Sequence, residues 1–314
     1  MVKYIVVKPV ETQPVLHTIK SFAEARNKVL VLRKSGGIGD ILMHRMLFED
    51  MKNLCPEIKI HFAIPHEFSQ LAEDHPYIDT VVDCNKIRQG EYLAVYDTTH
   101  SCGNTEMAMA PMPGPHRSDI WAGTIGVELK NHNMHLTIRQ SERDKARDMV
   151  ARISGGKPTI AFTPVSTTTS KSLDENQIKG VLSGLWDLGY FVYILHWRYL
   201  DYDAPTLIGS DMRNFIALVD AANFVISVDS ATFHIAGGVG KPQVGIFSWA
   251  CGVTYGKYYS HWELVQRHRK DGNWDCGPCY KWSACPKSTA KRKPCITEIT
   301  SDEIVRAFER VSAK

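Results

Sequence analysis

Residues 28–42 read KVLVLRKSGGIGDIL, and this stretch decides the fold of the first half of the chain. Val29 to Leu32 is an apolar, β-branched run typical of a buried strand. The glycines Gly36, Gly37 and Gly39 follow as a turn, and apolar residues then recur with helical spacing from Ile41 to Leu54. A second apolar run covers Ile58 to Ile64. The order strand, turn, helix, strand predicts a βαβ unit and therefore a parallel sheet.

The second half of the chain repeats this rhythm after Ser154-Gly-Gly-Lys-Pro158, which is typical of a linker. Strands are predicted at 80–82, 93–96, 159–162, 190–195, 224–228 and 243–247. Helices are predicted at 174–188, 212–222, 230–239 and 301–312. The pattern therefore predicts an α/β protein with two Rossmann-like domains, 1–155 and 156–314. Binding sites of such sheets lie at the carboxyl ends of the strands.

Composition excludes several classes of protein. A chain of 314 residues with 44% hydrophobic and 23% charged residues is neither disordered nor fibrous, and its length favours two domains. The net charge of +3 neither implies nor excludes nucleic acid as a partner. No apolar run approaches the ~20 residues of a membrane span. Residues 1–27 read as an extension with a strand and no export signal, which indicates the cytoplasm.

Asp40 ends the glycine-rich turn and opens the predicted helix. It has two interpretations. It can cap the helix, or it can stand at the edge of a cleft as a general base. The glycines before it let the backbone approach a ligand closely.

The loop after the strand at 159–162 carries six hydroxyls and a lysine between Thr163 and Lys171. Such a loop is either an ordinary polar connection or an anion site, where hydroxyls, backbone N–H groups and a lysine converge on a phosphate. A third feature, Asp229-Ser230-Ala231-Thr-Phe-His234, follows the strand at 224–228. It predicts either a capped helix with a packed histidine or a polar site, and it lacks the G-x-S-x-G turn of many serine hydrolases.

In combination, KSGGIGDIL, TPVSTTTSKSL and FVISVDSATFHIAGGVGKPQVGIFS resemble the family 9 glycosyltransferases, whose best-known members are ADP-heptose:lipopolysaccharide heptosyltransferases. The resemblance spans roughly residues 28 to 312. It implies the GT-B fold, in which two Rossmann-like domains face each other across a cleft. The nucleotide-sugar donor would bind the C-terminal domain and the acceptor would face the N-terminal one.

The resemblance also assigns roles to residues. Asp40 would be the catalytic base of an inverting, metal-independent transfer. The residues that would hold the donor diphosphate and sugar are Ser166, Thr167, Thr168, Lys171, Asp229, Ser230, Ala231 and His234. The chain departs from the family pattern at Met46, where proline is usual, at Ala231, where glycine is usual, and at His196-Trp197-Arg198.

The cysteine-rich segment 276–295 is the other chemical signal. Four of the eight cysteines lie in it, namely Cys276, Cys279, Cys285 and Cys295. They are either reduced thiols or the four ligands of a structural metal. Zinc is the preferred metal and iron is the alternative. Some bacterial autotransporter heptosyltransferases of this family resemble the chain in carrying a four-cysteine metal-binding segment near the C-terminus. The basic run 287–293 is either a solvated loop or a contact for an anionic acceptor or nucleic acid.

These features predict a glycosyltransferase with a nucleotide-diphosphate sugar donor, an ADP-sugar being favoured. The expected acceptor is a saccharide, and an anionic one would suit the basic run. Two alternatives stay open. The acceptor can be protein or modified DNA, or the chain can bind a nucleotide sugar without turnover.

Overall fold

The computed structural model describes residues 28–87, 92–267, 276–281, 285 and 292–314. The N-terminal extension 1–27, Lys287 and Lys291 of the basic run lie outside these ranges. The described chain forms two compact units, one containing residues 28–108 and 114–137, the other 109–113 and 138–314.

The first unit contains a parallel sheet with the strand order β3-β2-β1-β4. Its strands are β1 (Lys28–Leu32), β2 (Lys59–Ile64), β3 (Thr80–Asp83) and β4 (Ala94–Asp97). β1 lies in the interior of this sheet and Val29 to Leu32 are all buried, which explains why its sequence is continuously apolar rather than alternating. The predicted βαβ unit is confirmed.

The helices of the first unit are α1 (Ile38–His44), α2 (Phe48–Leu54), α3 (Ser101–Met109) and α4 (Arg117–Ile125). A 3₁₀ turn at Arg45–Leu47 separates α1 from α2, so the helix predicted as continuous over 41–54 is divided. The break coincides with Arg45, whose fully buried guanidinium donates to the carbonyls of Leu71, Met134 and His135.

The second unit contains a six-stranded parallel sheet with the order β10-β9-β8-β5-β6-β7. Its strands are β5 (Thr159–Thr163), β6 (Phe191–His196), β7 (Thr206–Ile208), β8 (Phe224–Val228), β9 (Gln243–Phe247) and β10 (Trp262–Gln266). Counted within the unit, this is the doubly wound Rossmann order. The carboxyl ends of β5 and β8 are neighbours in it.

The helices of the second unit are α5 (Gln140–Ser154), α6 (Glu175–Asp187), α7 (Met212–Ala221), α8 (Ala231–Gly238), α9 (Gly252–Tyr255), α10 (Pro294–Thr297) and α11 (Ser301–Ser312). The core includes apolar side chains of β5, β6, β8, β9, α6 and α11. No helix within the described ranges is long and apolar enough to cross a membrane.

The division between the units lies earlier than the predicted boundary at 155/156. α5 belongs to the second unit, where Arg143 pairs with Asp220 at 2.9 Å and Glu142 pairs with Arg213 at 2.7 Å, both partners being carried by α7. Ion pairs between residues some 70 positions apart cannot be recognised from a local sequence pattern. The pair Gly155-Gly156 is such a local pattern, and it therefore set the predicted boundary. Both glycines have positive φ, +59° and +81°, because they form the turn between α5 and β5.

Candidate functional site

The first polar group of interest lies at the carboxyl end of β1. Gly37 is the N-cap of α1 and Asp40 is its third residue, and the Gly37 N–H donates to Asp40 Oδ2 at 3.0 Å. Asp40 therefore helps to cap the helix, and the same carboxylate is available for further contacts.

Two arginines hold the Asp40 carboxylate. Arg33 Nη2 lies 3.0 Å from Oδ2, and Arg117 Nη1 lies 2.5 Å from Oδ1. Arg117 in turn donates through Nε and Nη2 to both carboxylate oxygens of Glu106, each at 2.7 Å. Asp40 and Glu106 are 9% and 2% exposed. The cluster therefore contains two carboxylates and two guanidiniums in alternation.

The electrostatic consequence for Asp40 follows from opposing influences. Burial alone raises the pKa of its carboxyl, but the Arg117 and Arg33 guanidiniums and the Gly37 N–H outweigh it and hold the pKa far below its usual range. Asp40 is thus ionised at neutral pH and can accept a proton. The same cations make it a weak base while they stay in contact.

His44 completes the surroundings of Asp40. Burial, with a contribution from Arg33, holds the pKa of His44 well below its usual range, so the ring is neutral. Its Nδ1–H donates to the Asp40 carbonyl at 2.8 Å, and Nε2 lies 2.8 Å from the Thr98 hydroxyl. The ring stacks on Trp121 with centroids 3.5 Å apart. These contacts fix the backbone that carries Asp40.

Gly36 shows why the turn needs glycine. Its φ is +131°, and a Cβ there would lie 2.5 Å from Arg33 Nη2 and 2.8 Å from Asp40 Oδ2. Gly37, with φ −85°, has open space at the same position. Gly36 thus lets the Arg33–Asp40 pair lie directly against the turn, while the expected approach of Gly36, Gly37 and Gly39 to a ligand stays a prediction.

The second group lies in the other unit, where the loops after β5 and β8 meet. Lys171 Nζ lies 2.7 Å from Asp229 Oδ2, and Thr163 Oγ1 lies 3.1 Å from Thr232 Oγ1. Asp229 is 5% exposed. Two stretches that the sequence places almost 60 residues apart therefore form one polar cluster.

The hydroxyl loop between Thr163 and Lys171 folds on itself. The Ser166 N–H donates to Ser172 Oγ at 3.0 Å, and that hydroxyl donates to the Thr168 carbonyl at 2.9 Å. Thr167 is exposed. The Thr168 hydroxyl is buried and has no hydrogen-bond partner among the described residues.

The remaining predicted residues lie at the start of α8. Ser230 is the N-cap, and its hydroxyl accepts from the Thr232 N–H at 3.2 Å. Ala231 is the first helical residue. His234 is buried and its Nδ1 lies 2.8 Å from the Tyr259 hydroxyl. The cap is therefore Ser230, and Asp229 is left to pair with Lys171.

Sequence reasoning missed four residues of these clusters, namely Arg33, Glu106, Arg117 and Trp249. The Trp249 ring lies beneath Lys171, with Nζ 4.6 Å from the ring centroid. Arg33 and Trp249 follow β1 and β9 closely, so their place at strand ends was a usable signal. Arg117 lies 77 residues from Asp40, and no local pattern connects them.

The four cysteines of segment 276–295 are half-buried free thiols. Burial, followed by the neighbouring thiol of Cys279, raises the pKa of Cys295 to about 12, with smaller upward contributions from Cys285 and Cys276. Four thiols are a ligand set that suits zinc or iron. Over the ranges that the structure describes, however, no three cysteine, histidine or carboxylate side chains stand in an arrangement that could hold a metal ion.

The basic run 287–293 differs from a fully solvated loop. Lys293 is 3% exposed, its ammonium donates to the Lys281 carbonyl, and it lies 5.7 Å from the centroid of the Trp249 ring. The solvated-loop interpretation is wrong for Lys293, because this side chain packs against a buried aromatic residue.

Comparison with known proteins gives the class. A family 9 glycosyltransferase from Veillonella parvula DSM 2008 is 16% identical, with 91% of this chain and 96% of that chain covered and a TM-score of 0.67. Escherichia coli ADP-heptose LPS heptosyltransferase II is 13% identical, with 91% and 98% covered and a TM-score of 0.64. The iron-containing dodecameric glycosyltransferase TibC from enterotoxigenic E. coli H10407 is 15% identical, with 92% and 77% covered and a TM-score of 0.68. No curated protein sequence matches the chain. Similarity at this identity shows the fold, which is the GT-B class with two Rossmann-like domains.

The sequence itself narrows the class. Residues 117–271 match the model of glycosyltransferase family 9 (heptosyltransferase). The chain is a glycosyltransferase, and residues 117–271 carry its family 9 domain.

Proposed function

We propose that the chain transfers a heptose-like sugar from a nucleotide diphosphate, ADP being favoured, to a hydroxyl of a saccharide, with inversion at the anomeric carbon. The observation that carries this proposal is the Lys171–Asp229 contact of 2.7 Å, because it joins the hydroxyl loop after β5 to the start of α8. Neighbouring structures support ADP, since TibC is described in complex with ADP-D-β-D-heptose and E. coli WaaC with ADP-2-deoxy-2-fluoro heptose.

On the donor side, we assign the diphosphate to Lys171 and to the hydroxyls of Ser166, Thr167 and Thr168. The N–H groups at the start of α8 add partial positive charge to the same cluster. Together with Lys171 they would stabilise the negative charge that develops on the departing diphosphate, so catalysis needs no divalent metal. Asp229, Ser230, Ala231 and His234 would line the donor sugar and diphosphate.

On the acceptor side, Asp40 would remove the proton of the attacking hydroxyl. The new bond joins that oxygen to the anomeric carbon, the bond from this carbon to the diphosphate oxygen breaks, and the proton remains on the Asp40 carboxylate. Its ionised state at neutral pH favours this role. The two arginine contacts oppose it, so we expect the base to strengthen when a contact lengthens during the reaction.

The donor site is tested by binding. A panel of nucleotide sugars and ADP is screened by thermal shift, and the ADP affinity of wild type, Lys171→Gln and Lys179→Gln is then measured by calorimetry. Lys179 is an exposed lysine of α6 in the same unit and serves as the matched control. We expect only Lys171→Gln to lower the affinity for ADP, by about 10-fold or more. Equal affinity of all three proteins would refute the donor assignment.

The base is tested by transfer. Asp40→Asn removes the proton acceptor, so transfer should fall by about 10²–10⁴-fold while ADP affinity is kept. Asp83→Asn, a change in the same unit at β3, should leave transfer unchanged. If Asp40→Asn transfers as fast as wild type, the assignment of the base is wrong. If product forms with a protein or modified DNA but not with saccharides, the proposed acceptor class is wrong. If a donor binds and no acceptor gives product, the chain is better described as a nucleotide-sugar-binding protein.

We also propose a structural zinc or iron at Cys276, Cys279, Cys285 and Cys295. Four thiolates leave no open coordination position, so such a metal would order the segment rather than react. The description of TibC as iron-containing supports iron as an alternative to zinc. Elemental analysis of the purified chain should give about one metal per chain, and chelation should lower the melting temperature. A metal-free chain with unchanged melting would overturn this proposal.

A further inference from the structure

Trp249 connects two features that the sequence keeps apart, the donor loop and the cysteine segment. It follows β9 and is 9% exposed. Its ring lies beneath the Lys171 ammonium at 4.6 Å, and its indole N–H donates to Ser170 Oγ at 3.3 Å. The side chain of Trp249 thus contacts two consecutive residues of the donor loop.

The backbone of the same tryptophan holds the cysteine segment. The Trp249 carbonyl accepts the N–H of Cys279 at 3.0 Å and the N–H of Tyr280 at 3.2 Å. From the other end of the segment, Lys293 brings its ammonium to 5.7 Å from the Trp249 ring centroid. Both ends of the cysteine segment therefore meet at one residue.

We propose that Trp249 is a positioning residue, through which the order of the cysteine segment sets the affinity of the donor loop for a nucleoside diphosphate. The proposal rests on the proposed function, since it requires Lys171 to receive the diphosphate. A cation is attracted to the face of an indole, and the attraction is strongest where water is excluded. The ring thus restricts Lys171 to one region, and the N–H groups of Cys279 and Tyr280 hold the backbone that carries the ring.

A purely structural tryptophan would behave differently. It would contribute to folding through buried area, and its loss would lower stability without a specific effect on ADP. The contact with Lys171 predicts an effect on ADP affinity that depends on the ring and on the cysteine segment together.

The first measurement is the ADP affinity of the full chain by calorimetry, with far-UV circular dichroism as the check on folding. Trp249→Leu removes the ring and should weaken ADP about 3- to 30-fold. Trp249→Phe keeps a ring but loses the N–H to Ser170, so its loss should be smaller. It also supplies a folded variant if Trp249→Leu does not fold. Trp186→Leu, on the exposed surface of α6, is the matched control and should bind ADP as wild type does.

The second measurement tests the link to the cysteine segment. Cys279→Pro removes the N–H that the Trp249 carbonyl accepts, so it should weaken ADP binding in the wild-type background. It should have little further effect in Trp249→Leu, which has no ring left to position, because residues that act through one contact are not additive. Full additivity of the two changes, or unchanged ADP affinity in Cys279→Pro, would overturn the coupling. The outcome also separates the two proposals. If Lys171→Gln does not weaken ADP, the donor assignment fails, whereas a weakened Lys171→Gln with normal Trp249 variants refutes only the role of Trp249.

Discussion

Replacing Gly36 with alanine is a direct test of how the Asp40 cluster is built. The new Cβ would lie 2.5 Å from Arg33 Nη2, 2.7 Å from Arg33 Nε and 2.8 Å from Asp40 Oδ2. The arginine cannot simply swing aside, because its Nη1 also donates to the Thr98 carbonyl at 3.2 Å in a buried site. The backbone adds to the conflict, since a φ of +131° is rarely adopted by residues other than glycine.

The expected loss of stability combines both effects. Holding alanine at this φ costs about 1–3 kcal/mol. Separating a buried, hydrogen-bonded ion pair costs about 3–5 kcal/mol when one partner is removed, and a partial separation costs less. Together, the two effects should lower the free energy of unfolding of Gly36→Ala by about 2–5 kcal/mol. Because domains are stable by about 5–15 kcal/mol, the variant should still fold.

Gly37→Ala is the matched control at the next position. Gly37 has φ −85°, and a Cβ added there would meet no atom within 4 Å, so alanine fits without displacement. Alanine is slightly less favourable than glycine at an N-cap, but it also makes the unfolded chain less flexible, which stabilises the fold slightly. The free energy of unfolding should therefore change by less than about 1 kcal/mol.

Urea unfolding followed by circular dichroism measures the difference, and ADP binding reports separately on the second unit. Gly36→Ala should unfold at clearly lower urea and transfer sugar at least about 10-fold more slowly, because Asp40 is displaced. ADP affinity should stay at the wild-type value in both variants. If Gly36→Ala is as stable as Gly37→Ala, the Arg33–Asp40 ion pair can move away from the added Cβ at no cost in stability, and the reasoning is refuted.

Three further predictions concern ionisable groups. Arg117→Gln removes one cation from Asp40, whose pKa should rise, so the acid limb of the pH profile of kcat/KM should move upward by about 1–3 pH units; an unmoved limb would contradict this. His75 accepts the Tyr77 N–H and donates to the Arg45 carbonyl, and burial lowers its pKa to about 3. Because the unfolded chain takes up this proton near pH 6.5 and the folded chain does not, stability should fall as pH drops from about 6.5 towards 3. In His75→Gln that pH dependence should be smaller by up to about 1.4 kcal/mol per pH unit, and an unchanged slope in urea unfolding at several pH values would exclude the effect. Asp220→Asn should destabilise the second unit by about 1–3 kcal/mol in the same assay, because the buried Asp220 pairs with Arg143; a wild-type midpoint would show the pair to be negligible.

The sequence signals that succeeded were local. β8 and β9 have the predicted bounds, 224–228 and 243–247, and α11 has the predicted bounds 301–312. Apolar periodicity and capping act over a few residues, and they are therefore visible in a single sequence. α5 was not predicted, because only Ala146, Val150 and Ser154 of its fifteen residues are buried and its apolar stripe is correspondingly narrow.

By itself, the sequence determined the α/β class, the parallel sheets and the loops at strand ends that carry Asp40, Lys171 and Asp229. It did so because strand, turn and helix signals repeat in an order that only parallel sheets satisfy. Tertiary structure alone decided which charges surround those residues. Arg117 reaches Asp40 from 77 positions away, and Trp249 reaches Lys171 from a different strand end. Contacts of this kind depend on where the fold brings separate strand ends, and the order of neighbouring residues along the chain carries no record of them.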